Sequence, residues 1–324
     1  MTTAQTLPTN PALPTAVLGR TGLRVSTLCV GTAAWGVDSP VHGVTVSEDA
    51  AVETALHAFQ GPVNILDTSN NYGDGESERR IGLAIRRVGL PEGFVVQTKL
   101  DRDPVTGSFG RDRMRASLEQ SLERLGLSRL PLLYLHDPEH IGFDASMAPG
   151  GPVESLRMLR DEGYADHIGI SGGPASLLER FVETGYFDAL ITHNRYTLVD
   201  RTADRLIGTA HAAGVGVMNA AIYGGGILTT WPRTSDRYHY AAAPAELLTA
   251  VDAMGAACER HGVPLIAAAL QFSTRDPRIA STVCGVVSPE QLDQAVASTQ
   301  LEIPDDLWDE LESLRPSEAA WIRD

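Results

Sequence analysis

The sequence of 324 residues is poor in cysteine, in aromatic residues and in basic charge. Its three cysteines, Cys29, Cys258 and Cys284, are scattered without metal-like spacing, which indicates buried, reduced thiols in a cytoplasmic protein. Forty-one Asp and Glu against 26 Lys and Arg give a net charge of −15, which argues against partners such as nucleic acid or an anionic membrane. No apolar run approaches the length of a membrane-spanning helix.

Residues 1–16 carry neither a basic start nor an apolar core, so they do not look like a signal peptide. Pro, Thr and Ala dominate this segment, which predicts a flexible N-terminal tail. Hydrophobic residues make up 43% of the chain and charged residues 21%, as in a soluble globular protein. Residues 17–324 are predicted to form one domain, since α/β barrels often reach this size as a single unit.

Apolar runs and amphipathic stretches alternate along the chain. Strand candidates lie near residues 27–31, 63–66, 94–98, 132–135, 167–170, 188–192, 215–219 and 280–284. Helix candidates lie near residues 47–59, 76–88, 111–125, 153–162, 175–184, 200–213, 245–262 and 289–298. This alternation predicts an α/β fold, a single (β/α)8 TIM barrel with an N-terminal hairpin near Leu18–Val25 and extra helices near the C-terminus. The alternative is a doubly wound open sheet, but no Gly-x-Gly-x-x-Gly follows an early strand.

Three successive barrel strands end in ionisable residues. The second strand ends at Asp67, with Tyr72 in the following loop, the third ends at Lys99 and the fourth ends at His136. In such a barrel the residues at the carboxyl ends of the strands point into one small space. Charged groups rarely enter such a space without partners, so their conjunction indicates a functional site.

The chemistry of these four residues suits hydride transfer better than hydrolysis. A tyrosine titrates near pH ~10, and an adjacent ammonium lowers its pKa. Lys99 is therefore expected to bring the pKa of Tyr72 closer to neutral pH, so that Tyr72 can act as an acid or base. Asp67 is expected to pair with Lys99 and hold it in place. His136 can donate a hydrogen bond to a carbonyl oxygen and orient it. The set contains no nucleophile.

The same residues resemble those of the aldo-keto reductase family. Two further runs, Leu135-His136-Asp137-Pro138-Glu139 and His193-Asn194-Arg195-Tyr196-Thr197-Leu198, are similar to its aldose-oxidising branch. The matching positions, within a resemblance from about Leu18 to Leu314, are Leu66-Asp67-Thr68, Tyr72-Gly73, Gly75, Ser77-Glu78, Gly82, Lys99 and His136. The resemblance implies that the catalytic residues are Asp67, Tyr72, Lys99 and His136. It also implies a nicotinamide cofactor that binds across the carboxyl end of the barrel without a Rossmann domain.

Positions around the cofactor and the substrate follow from the same resemblance. The implied cofactor-binding residues are Thr32, Asp67, Ser171, His193, Asn194, Tyr223, Gly224, Gly285 and Gln291. The implied substrate-pocket residues are Trp35, Tyr72, His136 and Asp137. Where the family usually has a glutamine, either His193 or Asn194 takes the contact. Where many members have a tyrosine that stacks on the nicotinamide, the alignment places Ala220, with Tyr223 three residues on.

The segment Cys284–Ala295 corresponds to the one that grips the adenosine 2′-phosphate in this family. It contains no arginine, and Val287 and Gln291 stand where arginines occur in other members. A phosphate dianion needs charge-assisted donors, so NAD(H) is predicted over NADP(H). An arginine in the long polar loop after the seventh strand, Arg233 or Arg237, could supply the missing charge. No metal is predicted.

The substrate prediction depends on the residues after His136. Asp137 and Glu139 stand where many members have apolar groups, and a carboxylate there suits a polyhydroxylated ligand. Asp137 could equally be an outward-facing turn residue. The sequence therefore predicts a small-molecule carbonyl or sugar substrate, with oxidation of an aldose at C1 favoured. The alternatives are a general aldehyde or ketone reductase and a cofactor-binding sensor with little turnover. The sequence indicates no oligomeric state.

Overall fold

A computed structural model describes residues 12–36, 44–239 and 241–324. Its strands are β1 (Thr15–Val17), β2 (Arg24–Ser26), β3 (Leu28–Gly31), β4 (Ile65–Asp67), β5 (Val95–Leu100), β6 (Leu130–His136), β7 (Ala165–Gly172), β8 (Ala189–His193), β9 (Gly216–Ala220), β10 (Arg237–Tyr238), β11 (Ala241–Ala242) and β12 (Ser281–Gly285). Its α-helices are α1 (Glu48–Gln60), α2 (Glu76–Val88), α3 (Arg111–Leu125), α4 (Gly142–Met147), α5 (Pro152–Asp161), α6 (Ala175–Glu183), α7 (Asp204–Ala212), α8 (Ala245–Arg260), α9 (Leu265–Thr274), α10 (Pro289–Gln300) and α11 (Asp305–Ser313).

Eight parallel strands close into a barrel in the order β12-β3-β4-β5-β6-β7-β8-β9. The predicted (β/α)8 fold is therefore confirmed, and each strand candidate lies within a few residues of an observed strand. β1 and β2 pair antiparallel, which confirms the N-terminal hairpin. β1 begins inside the predicted tail of residues 1–16, of which residues 1–11 lie outside the described part of the chain.

The hairpin covers the amino-terminal end of the barrel. Leu18 and Val25 are fully buried against the barrel interior. The backbone N–H of Arg20 donates to the Gly214 carbonyl at 2.8 Å. A Cβ on Gly216 would lie 2.6 Å from the Leu18 carbonyl carbon, so this close approach requires glycine. Because the amino-terminal end is covered, the opposite face carries the open loops.

Two layers of apolar side chains hold the barrel together. The inner layer, inside the strands, consists of Leu18, Val25, Cys29, Ile65, Val95, Leu132, Tyr134, Ala189, Ile191, Met218, Ala280 and Val283. A larger layer lies between the strands and the surrounding helices. Burial on both faces explains why the strands read as continuous apolar runs in the sequence.

Extra helices near the C-terminus are confirmed by α11, which packs against α8. The sequence patterns did not predict α4 and α9. α4 has only six residues, and α9 begins with the continuous apolar run Leu265–Leu270, which shows no helical period. Among the described helices, none combines the length and the apolar composition that crossing a bilayer would require.

Gly82 sets the distance between α2 and α3. A Cβ at this position would lie 1.9 Å from the carbonyl oxygen of Arg124, in the last turn of α3. Gly208, in α7, is also a helical glycine, but a Cβ there would have its nearest heavy atom at 3.8 Å. The two positions therefore differ in packing while sharing the same backbone state.

We expect Gly82→Ala to lower the free energy of unfolding by about 1–3 kcal/mol, because the helices must move apart. Gly208→Ala is the matched control and should raise it by up to about 1 kcal/mol through the higher helix propensity of alanine. Urea unfolding followed by circular dichroism measures both values. Equal effects at the two positions would contradict the packing argument.

Candidate active site

The barrel brings four sequence-predicted side chains together at the carboxyl ends of β4, β5 and β6. The Lys99 ammonium lies 2.8 Å from Asp67 Oδ2, 2.7 Å from the Thr68 carbonyl oxygen and 3.1 Å from the Tyr72 hydroxyl. The ring of His136 meets the ring of Tyr72 edge to face, with centroids 5.7 Å apart. Lys99 and Asp67 are almost completely buried. The convergence follows from the pairing of neighbouring strands, since residues at equal height in a barrel share one space.

The charge state of this group is set by burial and by the Asp67–Lys99 pair. Burial opposes the charge of Lys99, but Asp67 and Tyr72 raise the pKa of Lys99 above its ordinary value, so it remains an ammonium. Burial raises the pKa of Tyr72; Lys99 opposes this rise and Asp67 adds to it, and the net pKa lies above the ordinary value. The expectation that the pKa of Tyr72 shifts towards neutral pH was therefore wrong. Lys99 only reduces the rise in this pKa that burial causes.

A tight turn positions Tyr72. It opens a short 3-10 helix, Tyr72–Gly75, in which Gly73, Asp74 and Gly75 have positive φ values. A Cβ on Gly73 would lie 2.2 Å from the Cα of Gly36, so two glycines allow the loops after β3 and β4 to touch. Within this packing the Tyr72 ring sits 4.6 Å from the Lys99 nitrogen.

His136 is held by a carboxylate that the sequence analysis missed. Its Nδ1 lies 2.7 Å from Asp101 Oδ1 and 3.0 Å from the hydroxyl oxygen of Ser69. Ser69 also donates to Asp101 Oδ2, which accepts from the backbone N–H of Asn71 at 2.9 Å. Strand alternation was the available signal, because Asp101 follows Lys99 by two residues and so projects to the same side.

Asp101 and His136 stabilise each other's charge. Burial opposes the imidazolium, but Asp137 and Asp101 raise the pKa of His136 above its ordinary value. Burial likewise opposes ionisation of Asp101, but His136, Ser69 and the Asn71 N–H hold the pKa of this carboxyl below its ordinary value.

Asp137 belongs to a second polar group beside His136. Asp137 Oδ1 lies 3.6 Å from His136 Nε2 and 3.9 Å from His193 Nε2. One carboxylate oxygen of Asp137, one of Glu139 and one ring nitrogen of His193 lie within 4.8 Å of one another. Asp137 Oδ1 and Glu139 Oε2 are buried and make no hydrogen bond to the described chain. Burial opposes ionisation of Asp137, but His136, His193 and His140 hold its pKa well below the ordinary value. Asp137 is thus a carboxylate that faces the site, at a positive φ of 45°.

Ser171, His193 and Asn194 lie along the next strands. Ser171 pairs with His136 in the sheet register, and its buried hydroxyl makes no side-chain hydrogen bond within the described residues. The Asn194 amide donates to His193 Nδ1 at 3.0 Å, so the remaining proton of a neutral His193 lies on Nε2. Asn194 is 1% exposed. The Ser171 hydroxyl is therefore an available polar group that fits the amide of a nicotinamide ring. His193 Nε2 lies beside it but also faces Asp137 at 3.9 Å.

The loop after β9 carries Tyr223 and three glycines. The Tyr223 hydroxyl lies 3.5 Å from Cys284 Sγ, and its ring is half-buried at the rim between β9 and β12. A Cβ on Gly224 would lie 2.4 Å from the ring of Tyr238. Gly224 was expected to contact the cofactor, but packing against Tyr238 already requires glycine there. Tyr238 in turn donates to the Asn194 carbonyl at 2.7 Å, which ties this long loop to the site.

Thr32 and Trp35 lie in the wall of the site. The Thr32 hydroxyl donates to the Asp67 carbonyl at 2.9 Å. Trp35 is fully buried, and its indole N–H donates to the Val286 carbonyl at 2.7 Å. Both were expected to face a ligand, but their polar atoms are engaged within the protein. Arg80, in α2, is also buried and donates to the Trp35 carbonyl at 2.7 Å.

The amino terminus of α10 lies beyond β12 at the carboxyl end of the barrel. Ser288 caps this helix by accepting from the Gln291 N–H at 3.4 Å, and Gln291 Oε1 accepts from the Val287 N–H at 3.1 Å. Gly285 is exposed, and a Cβ there would meet open space. Backbone and hydroxyl groups at a helix amino terminus, beside such open space, fit the sugar-phosphate part of a nucleotide.

Comparisons with known proteins agree with this geometry. The sequence profile described as "Aldo/keto reductase family" matches residues 27–316. A D-threo-aldose 1-dehydrogenase from Pseudomonas sp is 34% identical over 83% of this chain and 89% of its own length. An L-galactose dehydrogenase from Arabidopsis thaliana is 34% identical over 88% of each chain. The holo form of an aldo-keto reductase from Bacillus halodurans has the same fold, with a TM-score of 0.77, 20% identity and coverage of 95% and 98% of the two chains.

One conclusion follows from the closed barrel, from the family match over residues 27–316 and from the convergence of four side chains, Asp67, Tyr72, Lys99 and His136. This chain belongs to the aldo/keto reductase family and is a nicotinamide-dependent oxidoreductase acting on a small molecule.

Proposed function

We propose that this protein oxidises an aldose, in its cyclic lactol form, at C1 to the lactone with NAD as the cofactor. The observation that carries the reaction is the Lys99 ammonium, which contacts both Asp67 and the Tyr72 hydroxyl beside His136. The three parts of the proposal, namely the catalytic roles, the sugar substrate and the choice of NAD, rest on separate observations and are tested separately.

Each of the four residues has a distinct role in this proposal. Tyr72 takes the proton of the C1 hydroxyl as the phenolate during oxidation, and the resulting phenol returns this proton during reduction. Lys99 reduces the free-energy cost of the phenolate, and Asp67 holds Lys99 in place. His136 binds the reacting oxygen through Nε2. A bound nicotinamide supplies the acceptor for the hydride that leaves C1, so the C1–H and O–H bonds break as C1=O forms.

We expect Tyr72→Phe to lower kcat by about 10²–10⁴-fold while the dissociation constant of the cofactor stays almost unchanged, because the hydroxyl acts on the substrate oxygen. Steady-state kinetics and cofactor titration by fluorescence measure the two quantities. Tyr186→Phe, on a residue that is 38% exposed, is the control and should keep the original rate. A Tyr72→Phe enzyme with most of its activity would show that another group moves the proton.

The sugar substrate is supported by the Asp137 carboxylate, which lies next to His136 and has one buried oxygen without a hydrogen bond. Asp137 Oδ1 is buried, has no hydrogen-bond partner in the described chain and lies 3.6 Å from His136 Nε2. A carboxylate accepts hydrogen bonds and donates none, so it suits a hydroxyl on the carbon next to the reacting one. The names of the two relatives at 34% identity, a D-threo-aldose 1-dehydrogenase and an L-galactose dehydrogenase, point to the same class of substrate.

A panel of aldoses with oxidised cofactor, set against aromatic aldehydes with reduced cofactor, tests the substrate class. We expect turnover of aldoses, and we expect Asp137→Asn to lower kcat/KM for them by about tenfold or more, the usual effect of losing a hydrogen bond to a charged group. The aldehydes should be less affected, because they lack the neighbouring hydroxyl. Asp144→Asn, at a side chain 95% exposed on α4, is the control. Turnover of aldehydes alone would overturn the sugar proposal.

The preference for NAD(H) is supported by the surroundings of the α10 amino terminus. The charged side chains there include Glu290 and Asp293, and His57 lies 2.8 Å from Asp293. Arg233, which could have reached across from the loop after β9, is paired with Asp252 at 2.6 Å and with Asp236. A 2′-phosphate in this place would meet carboxylates and no arginine from α10, whereas a ribose hydroxyl could bond to Gln291.

We expect a higher kcat/KM for NAD than for NADP, and we expect Val287→Arg to shift the ratio towards NADP by about tenfold, or ~1.4 kcal/mol, through a new charge-assisted contact. The control is Val88→Arg, which adds the same charge at a 56% exposed position at the end of α2. A tenfold preference of the unmodified enzyme for NADP would contradict the proposal.

We also propose that residues 17–324 act as one domain and that the protein works in the cytoplasm. Cys29, Cys258 and Cys284 are all buried free thiols, as expected in a reducing compartment.

A further inference from the structure

The carboxylate of Asp101 has no role in the mechanism described above. It lies directly beyond β5, with a side chain 8% exposed, and it contacts the histidine that faces the substrate oxygen. Its two oxygens have different partners: Oδ1 lies 2.7 Å from His136 Nδ1, whereas Oδ2 accepts from Ser69 and from the Asn71 N–H. The carboxylate is therefore fixed in orientation by groups from the loop after β4.

This geometry decides which nitrogen of His136 carries a proton. An ionised carboxylate can only accept, so the hydrogen bond to Asp101 requires a proton on Nδ1. Ser69 donates its own proton to Asp101, and its lone pairs face the same Nδ1 at 3.0 Å. In a neutral ring Nε2 is then an acceptor, and in a charged ring it is a donor. Only the charged ring can donate a hydrogen bond to a carbonyl oxygen or to a developing oxyanion.

We propose that Asp101 is a positioning residue that keeps the proton on Nδ1 of His136 and favours the imidazolium, so that Nε2–H points at the reacting oxygen. Ser69 and the Asn71 N–H hold Asp101 in the orientation that this requires. The inference rests on the proposed role of His136, but the protonation of the ring is a property of the protein itself and can be measured without turnover.

The charge of His136 depends on all groups that face it. Asp101, beyond β5, and Asp137, in the following loop, favour the imidazolium, whereas Lys99 opposes it. The neutral Tyr72 ring packs against its edge. His193 lies on the far side of Asp137, which it contacts at 3.9 Å. Two carboxylates and one ammonium thus surround the ring, and removing the Asp101 charge leaves one of each.

The test is a pH titration of ¹⁵N-histidine-labelled full-length protein by NMR, with the His136 signal identified from His136→Gln. In the unmodified protein we expect Nδ1 to stay protonated throughout and Nε2 to titrate above the ordinary pH range of histidine. In Asp101→Asn we expect the midpoint to fall by about one pH unit or more, the size usually caused by one nearby opposite charge. One unit corresponds to a tenfold smaller charged fraction above the midpoint.

The matched control is Asp188→Asn at the opposite end of the barrel, where Asp188 Oδ2 lies 3.7 Å from His167 Nδ1. It removes a carboxylate beside another histidine and should leave the His136 titration unchanged. A proton on Nε2 instead of Nδ1 in neutral His136 of the unmodified protein overturns the proposal, even if Asp101→Asn does not fold. An unchanged His136 midpoint in folded Asp101→Asn also overturns it. Lack of sugar oxidation would count against the proposed function alone.

Discussion

The buried ion pair between Lys99 and Asp67 is the interaction on which the arrangement of the site depends. Removing two charges from water costs several kcal/mol for each ion, and such a pair persists only when its remaining donors and acceptors are satisfied. Gln97 donates to Asp67 Oδ1 at 2.9 Å, and Lys99 also donates to the Thr68 carbonyl at 2.7 Å. These partners come from adjacent strands, so the pair exists only in the correct register. A slip of one residue would turn Lys99 out of the barrel.

One strand supplies most of this polar network. Gln97, Lys99 and Asp101 follow each other at a period of two residues along and just beyond β5. The first two bind the two oxygens of Asp67, and the third contacts His136. The strand therefore places two carboxylate–cation pairs side by side, Asp67 with Lys99 and Asp101 with His136. Tyr72 contacts both pairs, through the Lys99 ammonium and through the ring of His136. The rigidity of a central barrel strand keeps these groups at fixed distances, which a loop would not achieve.

The pairing also limits what each charge can do to the tyrosine. Lys99 alone would lower the pKa of Tyr72, but Asp67 lies close enough to cancel part of that effect, and burial raises the pKa further. The phenol is therefore the stable form, and its proton is available to an oxygen held by His136. The direct effect of an isolated ammonium, on which the sequence-based expectation relied, does not apply where a counter-charge shares the same space.

The sequence by itself determined the alternation of strands and helices and the resemblance to a family. It also placed Asp67, Lys99 and His136 at or near the ends of three successive strands. These features depend on local periodicity and on the fixed geometry of a barrel, so they can be derived from neighbouring residues. The tertiary structure alone decided the rest. It showed that Asp101 contacts His136, that Gly224 packs against Tyr238, and that Trp35 and Arg80 are buried. It also joins Arg195 to the C-terminal Asp324, 129 positions away. Such contacts link residues far apart in the chain through packing and charge, and no local pattern encodes them.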